Sequence, residues 1–498
     1  MNTVMGIDMG TQSIKVLIYD PASKTTLAKA SHPFDLITRN DGSAEQEASW
    51  WIDGFKQCLK SFDAKVLKSV VAIGVSGQQH GFVPVSGSGD VLAPVKLWCD
   101  TSTVAECDEI MAAVGGEQAC RELAGNSVAA GFTASKILWL KKNKPEAYAK
   151  MATVMLPHDY LNFYLSGERV MEYGDASGTA LLDVRTRTWS TDLLAAIDSE
   201  RDLAQCLPKL ISAEAPAGKI TPSIAKALGF SEDVIVSSGG GDNMMAAIGT
   251  GNVSTGKLTA SMGTSGTLFG YADKPVVDAG GDLAAFCSST GGWLPLLCTM
   301  NCTVATEQVR KLFEFELSDV DTLAEGIQPG ADGVLTLPYY TGERTPDLPH
   351  GKAVIFGLDL SNSSRAHLLR SAMEAAVFGL KTGLLAFQQN GMAFTEVTLT
   401  GGGSSSRVWC QIVANILNLP VKVLKEKENA AFGALLQALW CYESSKGERA
   451  DLQSLVDEHL SVDNDLGCEP QAEQVARYED VYENYQALLE AVRPLYKK

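Results

Sequence analysis

A glycine-rich stretch that ends in a carboxylate is the first place in this sequence where chemistry can be located. Residues 237–243 read Ser-Ser-Gly-Gly-Gly-Asp-Asn and follow the β-branched run at 234–236 (Val-Ile-Val). The run predicts a buried strand, and residues 244–248 predict the start of a buried helix. Consecutive glycines let the backbone come close to a bound molecule. We therefore expect Asp242 to face a ligand and to accept a proton from a hydroxyl group.

Three further glycine loops stand beside strand-like runs. They lie at residues 8–11 (Asp-Met-Gly-Thr), 261–266 (Ser-Met-Gly-Thr-Ser-Gly) and 401–404 (Gly-Gly-Gly-Ser). Backbone amides in such loops bind phosphate groups without the help of many basic side chains. We interpret these loops as the binding site of ATP and its metal ion.

The N-terminal loop carries the acidic residue that a metal site needs. Residues 4–8 and 15–19 both resemble strands, so they predict a hairpin with a glycine-bearing turn. Asp8 ends the first strand, where a carboxylate must be solvated, paired or bound to a metal ion. An ordinary N-terminal hairpin is the alternative interpretation.

Polar side chains also follow the apolar run at residues 69–75, which predicts another buried strand. Gln79 and His80 come shortly after its end. Side chains at such positions meet ligands in open α/β sheets. The alternative for His80 is a histidine that is satisfied within the core or a loop.

A weak internal repeat indicates two related domains. Residues 9–13 (Met-Gly-Thr-Gln-Ser) are echoed by residues 262–266 (Met-Gly-Thr-Ser-Gly), and strand-like residues flank both copies. Each copy stands near the start of one half of the chain, so we interpret the match as a duplication. We expect an N-terminal domain at residues 1–250, which contains Asp242, and a C-terminal domain at residues 251–498, which contains the glycine loops at 261–266 and 401–404.

Two other stretches resemble known phosphate-binding motifs but match them only in part. Residues 251–257 (Gly-Asn-Val-Ser-Thr-Gly-Lys) match the start of a P-loop, but Leu258 stands where Ser or Thr should bind Mg²⁺. Residues 249–251 (Gly-Thr-Gly) lack the third glycine of a dinucleotide-binding motif.

The composition limits the classes of function. A chain of 498 residues suits two large domains rather than one core. The formal net charge of −18 disfavours non-specific nucleic-acid binding, which needs a basic face. Eleven scattered cysteines indicate reduced thiols in a cytoplasmic protein rather than a metal cluster. We expect no signal peptide and no membrane partner, because no apolar run reaches the roughly 18 residues of a membrane span.

Together these stretches resemble the FGGY family of carbohydrate kinases, in order and over nearly the whole chain. The matching segments are residues 6–11, 45–46, 77–81, 97–98, 131–134, 156–161, 239–243, 263–265, 342–346 and 401–403. Each segment alone is unspecific, but the ordered set is specific. The resemblance implies an α/β fold of two ribonuclease H-like domains, of the actin and hexokinase type, with the active site in the cleft between them.

The resemblance also implies a role for each candidate residue. Asp242 matches the catalytic base, and Asp8 matches the carboxylate that positions Mg²⁺. The positions that match phosphate and adenosine contacts are Thr11, Gly263, Thr264, Ser265, Gly401, Gly402 and Ser404. Gln79 and His80 match the pair that touches the sugar. Together with Asp242 and Asn243 they would form the wall of the sugar-binding site. An aspartate of ordinary pKa, about 3.9, is a poor base for an alcohol, so orientation should supply most of its effect.

The implied reaction is the ATP-dependent phosphorylation of a ketopentose, with D-xylulose as the expected sugar. The chain departs from ketopentose kinases at Gln79, where Met is common. It departs again at residues 99–102 (Cys-Asp-Thr-Ser), where Asn-Asp-x-Arg is common. The alternatives are therefore another sugar or polyol, such as ribulose, fuculose or glycerol, or a catalytically silent, actin-like sugar sensor. The resemblance implies a monomer or a homodimer.

Overall fold

Two β-sheets with the same strand order organise the chain. The structure, a computed structural model, describes residues 2–447 and 451–496. The strands of the first half are β1 (Thr3–Met9), β2 (Ser13–Asp20), β3 (Thr25–Pro33), β4 (Ile37–Thr38), β5 (Ala44–Gln46), β6 (Val70–Gly77), β7 (Val83–Ser86), β8 (Val95–Lys96), β9 (Met151–Met155), β10 (Val170–Glu172), β11 (Leu182–Asp183), β12 (Thr188–Trp189), β13 (Lys209–Ile211), β14 (Pro216–Lys219), β15 (Ile235–Ser237) and β16 (Gly240–Gly241). Those of the second half are β17 (Lys257–Met262), β18 (Gly266–Gly270), β19 (Leu296–Thr299), β20 (Leu335–Leu337), β21 (Val354–Phe356), β22 (Glu396–Thr400) and β23 (Val421–Val423).

The helices connect and cover these sheets. They are α1 (Ala48–Lys60), α2 (Ala64–Lys68), α3 (Val104–Val114), α4 (Glu117–Ala124), α5 (Thr133–Asn143), α6 (Pro145–Lys150), α7 (Pro157–Ser166), α8 (Tyr173–Ala176), α9 (Thr191–Ile197), α10 (Pro222–Leu228), α11 (Asp242–Gly249), α12 (Val304–Phe313), α13 (Val320–Glu325), α14 (Arg365–Gln389), α15 (Arg407–Leu417), α16 (Asn429–Ser445), α17 (Leu452–His459) and α18 (Ala472–Val492). Within the described residues, no helix is both long and apolar enough to cross a membrane.

The two main sheets repeat one topology. The first runs β14-β15-β6-β1-β2-β3, with β16 added to β6, and the second runs β19-β18-β17-β22-β23. In each, an antiparallel hairpin (β1-β2 or β17-β18) is extended by a third antiparallel strand, and a parallel strand (β6 or β22) pairs with its first strand. This arrangement confirms the α/β fold of two ribonuclease H-like domains. The domain boundary near residue 250 stays a prediction.

The central strands are apolar because both faces of the sheet are covered. All but one residue of β1 and all but one of β6 are buried, as expected for strands between two helical layers. Trp51 and Phe55 of α1 are fully buried against one face. Asp8 is the residue of β1 that keeps some exposure. It places a carboxylate near the C-terminal end of an otherwise apolar central strand.

Helix α16 comes from the second half of the chain but packs on the sheet of the first. A Cβ atom at Gly6 of β1 would stand 2.0 Å from the carbonyl oxygen of Ala431. At Gly433 it would stand 1.7 Å from the carbonyl oxygen of Met245 on α11. Glycine is therefore required at both positions, because the backbones touch. This contact fixes α11, which begins with Asp242, against both halves.

Helix α18, near the C-terminal end of the described residues, covers the core of the second half. Tyr478, Tyr482, Tyr485 and Leu489 lie on one face of α18 and are buried in the core of the second half. Residues 497–498, the last of the predicted C-terminal domain, lie outside the described residues.

Candidate active site

The candidate site is a cavity of about 840 Å³ that residues of both halves line. The turn after β1 and the segments after β6 and β16 meet the turn between β17 and β18 there. The predicted site residues in its wall are Thr11, Gln79, His80, Asp242, Asn243, Gly263 and Ser265. Asp8, Thr264, Gly401, Gly402 and Ser404 do not line it.

Asp242 is positioned by the sheet and by the helix that it begins. Gly240 and Gly241 form β16 beside the end of β6, and the next residue starts α11 at the edge of the cavity. Its Oδ1 atom accepts hydrogen bonds from the backbone amide of Asn243 at 2.8 Å and from the side-chain Nδ2 of Asn243 at 3.2 Å. Burial raises the pKa of Asp242 to about 8, and the charges of Asp8 and Asp175 add to this effect.

Asp8 lies one strand away from the loop that leads into Asp242. Its neighbour across the sheet is Ser76, which pairs on its other side with Gly240. The Ser76 hydroxyl donates to Asp8 Oδ1 at 2.9 Å. Burial raises the pKa of Asp8, whereas this hydrogen bond and the charge of Lys15 oppose the rise.

Two carboxylates that repel each other in a buried site fit a divalent cation. Mg²⁺ prefers oxygen ligands and is commonly held by one or two carboxylates together with substrate phosphates and water. The described residues contain no cluster of three or more metal-binding side chains. Asp8, with the negative charge of Asp242 nearby, could therefore hold a magnesium ion together with the phosphates of a bound nucleotide.

Gln79 and Asn243 form one wall of the cavity and hold each other in place. The Nδ2 of Asn243 donates to Gln79 Oε1 at 2.8 Å and also reaches Asp242. A Cβ atom at Gly241 would stand 2.6 Å from Gln79 Cγ, so the glycine makes room for this side chain. Asp242 is thus joined by a short hydrogen-bonded chain to the side chain that departs from the family pattern.

His80 is held in a left-handed backbone conformation (φ 65°) by a buried lysine. The Nζ of Lys136 donates to the carbonyl oxygens of His80 at 2.8 Å and Gly131 at 2.7 Å. Burial lowers the pKa of His80 to about 3, and the charges of Lys136 and Arg344 add to the shift. The imidazole is therefore neutral at physiological pH, which suits hydrogen bonding to an uncharged ligand.

The hydroxyl group of Thr11 belongs to a network that fixes the first turn. It donates to Gln78 Oε1 at 3.0 Å and accepts from Trp98 Nε1 at 2.9 Å. Gln46 Nε2 donates to the Thr11 carbonyl oxygen at 2.7 Å, and Gln46 Oε1 accepts from Gln78 at 3.0 Å. Since the hydroxyl proton is already used, the turn offers its backbone rather than this side chain to a phosphate.

The second turn is anchored at the start of α12. The carbonyl oxygens of Gly263 and Thr264 accept from the amides of Thr303 and Cys302, both at 3.0 Å. These bonds leave the Thr264 side chain exposed. The turn is therefore rigid where it enters the cavity.

The loop at 401–404 follows β22, next to the end of β17. Gly401 has a φ of 79°, and a Cβ atom there would stand 2.7 Å from the carbonyl oxygen of Met262. Ser404 Oγ donates to the Gly401 carbonyl oxygen at 2.7 Å, so this hydroxyl shapes the turn. A Cβ atom at Gly402 would meet nothing within 4 Å, which leaves open space for a ligand.

Comparison with known proteins identifies the family to which this architecture belongs. The N-terminal domain of the FGGY family of carbohydrate kinases matches residues 3–249, and the C-terminal domain of that family matches residues 258–442. The chain belongs to the FGGY family of carbohydrate kinases. It is therefore a phosphotransferase that acts on a carbohydrate.

This FGGY kinase is similar to xylulose kinases over most of its length. The chain is 41% identical to the xylulose kinase of Haemophilus influenzae over 97% of this chain and 98% of that one. It is 33% identical to the xylulose kinase of Streptomyces coelicolor over 87% of each. The crystal structure of a xyloylose kinase from Brucella ovis matches with a TM-score of 0.91 at 30% identity, covering 99% of this chain and 100% of that one.

Sequence reasoning missed one residue that holds the loop at residues 237–239 of this FGGY kinase. Gln437 of α16 is fully buried. Its Oε1 accepts from Ser237 Oγ and the Gly239 amide, both at 2.9 Å. Its Nε2 donates to Ser238 Oγ at 2.9 Å and to the Gly239 carbonyl oxygen at 3.0 Å. The signal was available, since an amide in the middle of an apolar helix must find partners when it is buried.

Two aromatic residues around His80 were also missed. The ring centroid of Phe132 lies 4.6 Å from that of His80, and Phe286 lies 5.8 Å away. Phe286 comes from the segment between β18 and β19, so the second half of the FGGY kinase contributes to the wall around His80. No local pattern indicates this, because the contact joins residues that are far apart in the sequence.

Proposed function

We propose that this kinase transfers the γ-phosphoryl group of ATP to a hydroxyl of a ketopentose, converting D-xylulose to D-xylulose 5-phosphate. The observation that carries the proposal is the position of Asp242, in one cavity with a polar wall and with the turn at 263–265. The choice of sugar is supported by the names of the full-length relatives.

We assign the nucleotide to the glycine loops and the sugar to the polar wall. The proposed nucleotide contacts are Thr11, Gly263, Thr264, Ser265, Gly401, Gly402 and Ser404, and the proposed sugar contacts are Gln79, His80, Asp242 and Asn243. Asp8 would hold Mg²⁺ together with the phosphates, and the ion would supply positive charge to them. The cytoplasm as the place of action and a homodimer stay predictions.

The arrangement supports phosphoryl transfer through alignment and charge. The attacking sugar oxygen forms a bond to the γ-phosphorus while the bond to the β–γ bridging oxygen breaks, and ADP leaves. Asp242 orients the hydroxyl and takes its proton. Because burial and neighbouring charges raise the pKa of Asp242 to about 8, its carboxylate is a stronger base than an ordinary aspartate.

The first test measures ADP release with MgATP and a panel of sugars. The panel contains D-xylulose, L-xylulose, D-ribulose, L-ribulose, L-fuculose, glycerol and a blank without sugar. We expect the highest kcat/KM with D-xylulose. A preference for another compound would overturn the sugar assignment and implicate Gln79 and residues 99–102. No turnover with any compound would favour a silent sugar sensor.

The rate should depend on pH through Asp242. Only the ionised carboxylate accepts a proton, and the pKa of Asp242 in the ligand-free protein is about 8. With both substrates below saturation, kcat/KM reports the ionisation of the free enzyme. We expect kcat/KM for D-xylulose to rise about tenfold per pH unit well below the pKa and to level off above it. Initial rates in overlapping buffers will measure this, and a flat profile from acidic to alkaline pH would contradict it.

A further inference from the structure

Of the two arginine side chains that line the cavity within the described part of the chain, one is paired with a carboxylate and the other is not. The charged residues in its wall are Glu117, Arg121, Asp242, Asp282, Arg344 and Asp347. Arg121 donates to Glu117 at 2.6 Å, so its charge is already balanced. None of the described residues forms an ion pair with Arg344. Its guanidinium is therefore a cation that is available to a ligand in a protein of net charge −18.

The backbone at Arg344 is held by a buried carboxylate. Glu343 is 3% exposed, and its Oε1 accepts from the amides of Met300 and of Arg344 itself. Its Oε2 accepts from Asn301 Nδ2 at 3.0 Å. Reciprocal backbone bonds between Glu343 and Leu348, at 2.9 and 3.0 Å, close the loop. The base of the arginine side chain is thus fixed although its end is exposed.

The same turn after β19 holds both this loop and the predicted phosphate loop. Its first residues bind Glu343, and the next two, Cys302 and Thr303, donate to the carbonyl oxygens of Thr264 and Gly263. Arg344 and the turn at 263–265 are therefore parts of one rigid frame at the cavity.

The charge of Arg344 acts on two other residues of the cavity wall. It helps to lower the pKa of His80, after burial and the charge of Lys136. Burial raises the pKa of Cys298 in the cavity wall, while Arg344 opposes the shift and Asp242 adds to it. Arg344, His80 and Cys298 thus lie in the wall of one cavity with Asp242.

We infer that Arg344 is a further catalytic residue, whose guanidinium contacts the phosphoryl group as it passes from the nucleotide to the acceptor. The inference rests on the proposed phosphoryl transfer. The planar guanidinium presents a fork of N–H donors that matches the oxygens of a phosphoryl group, and its positive charge stabilises the negative charge on that group. The bonds that form and break are those of the transfer itself, and Arg344 gives up no proton.

The test compares Arg344→Gln, Arg344→Lys and Arg344→Ala with the wild-type protein and its best sugar. We expect Arg344→Gln to lower kcat at least about 10²-fold, with the sugar KM and the Kd for MgADP unchanged within threefold. Lysine should restore part of the rate, and added guanidinium ion should restore part of it in the alanine variant. Arg365→Gln, at the exposed start of α14, is the control.

A second readout is independent of the sugar. MgADP with aluminium fluoride mimics the phosphoryl group in transfer, and we expect Arg344→Gln to weaken its binding about 10²-fold in calorimetry, without weakening MgADP alone. A wild-type kcat in Arg344→Gln, or a loss confined to the sugar KM, would overturn the inference. If the wild-type protein turned over no sugar, the proposed function would fail, and the analogue titration would still decide the role of Arg344.

Discussion

Replacing Asp242 with asparagine will lower kcat for sugar phosphorylation by about 10²–10⁴-fold. Asparagine keeps the size of the side chain but cannot accept the hydroxyl proton. The bond from the Asn243 amide to Oδ1 at 2.8 Å can persist with an amide oxygen, so the helix should still begin at this position. Kinetic assays with quenched samples will measure the change.

Binding measurements separate this effect from a general disturbance of the site. We expect the Kd for ADP to stay within a few-fold of the wild-type value, because the glycine loops are unchanged. Folding should not be weakened, since a buried carboxylate with a pKa near 8 is replaced by a neutral group. Asp233→Asn, at a side chain that is 89% exposed, is the matched control. A kcat within tenfold of wild type would refute the role of Asp242.

Patterns of neighbouring residues in the sequence predict the loop that carries Asp242 and the hairpin that carries Asp8. A strand, a glycine loop and a polar residue are consecutive in the chain, so the order of residues alone is enough to place Asp242 at a sheet edge. The same holds for the hairpin that carries Asp8 and for its echo at residues 261–266. The echo also predicts that both halves begin with the same hairpin, whereas the order of the remaining strands comes from the structure.

The remaining contacts depend on packing between distant parts of the chain. Gln437 contacts a loop some 200 positions earlier in the sequence. Phe286 reaches His80 from the other half, and no periodicity relates the two. Burial also changes the chemistry: the residue type alone predicts a weak base at Asp242, but desolvation raises its pKa to about 8. The hydroxyl group of Thr11, predicted to touch phosphate, and that of Ser404, predicted to touch adenosine, are partly used in shaping their own turns.

The second large effect is expected from Gln437→Met. The side chain of Gln437 clamps the loop that leads into Asp242, through its hydrogen bonds to residues 237–239. Methionine fills a similar volume but leaves the Ser237 hydroxyl and the Gly239 amide without acceptors. Each buried donor left unpaired costs about 1–3 kcal/mol, so the free energy of unfolding should fall by about 2–6 kcal/mol. Denaturant titration followed by circular dichroism will measure it.

The same substitution should affect catalysis, because the clamped loop leads directly into Asp242. A displacement of about 1 Å in a reacting group costs of order 10²-fold in rate, so kcat should fall by that order at a temperature where the variant is folded. Gln437→Glu, which keeps two acceptor oxygens but loses the donors to Ser238 and Gly239, should be intermediate in kcat. Gln388→Met, exposed on α14, should change neither property. If Gln437→Met lost stability but kept the wild-type kcat, the clamp would serve folding alone, and the position of Asp242 would be set by β16 and α11.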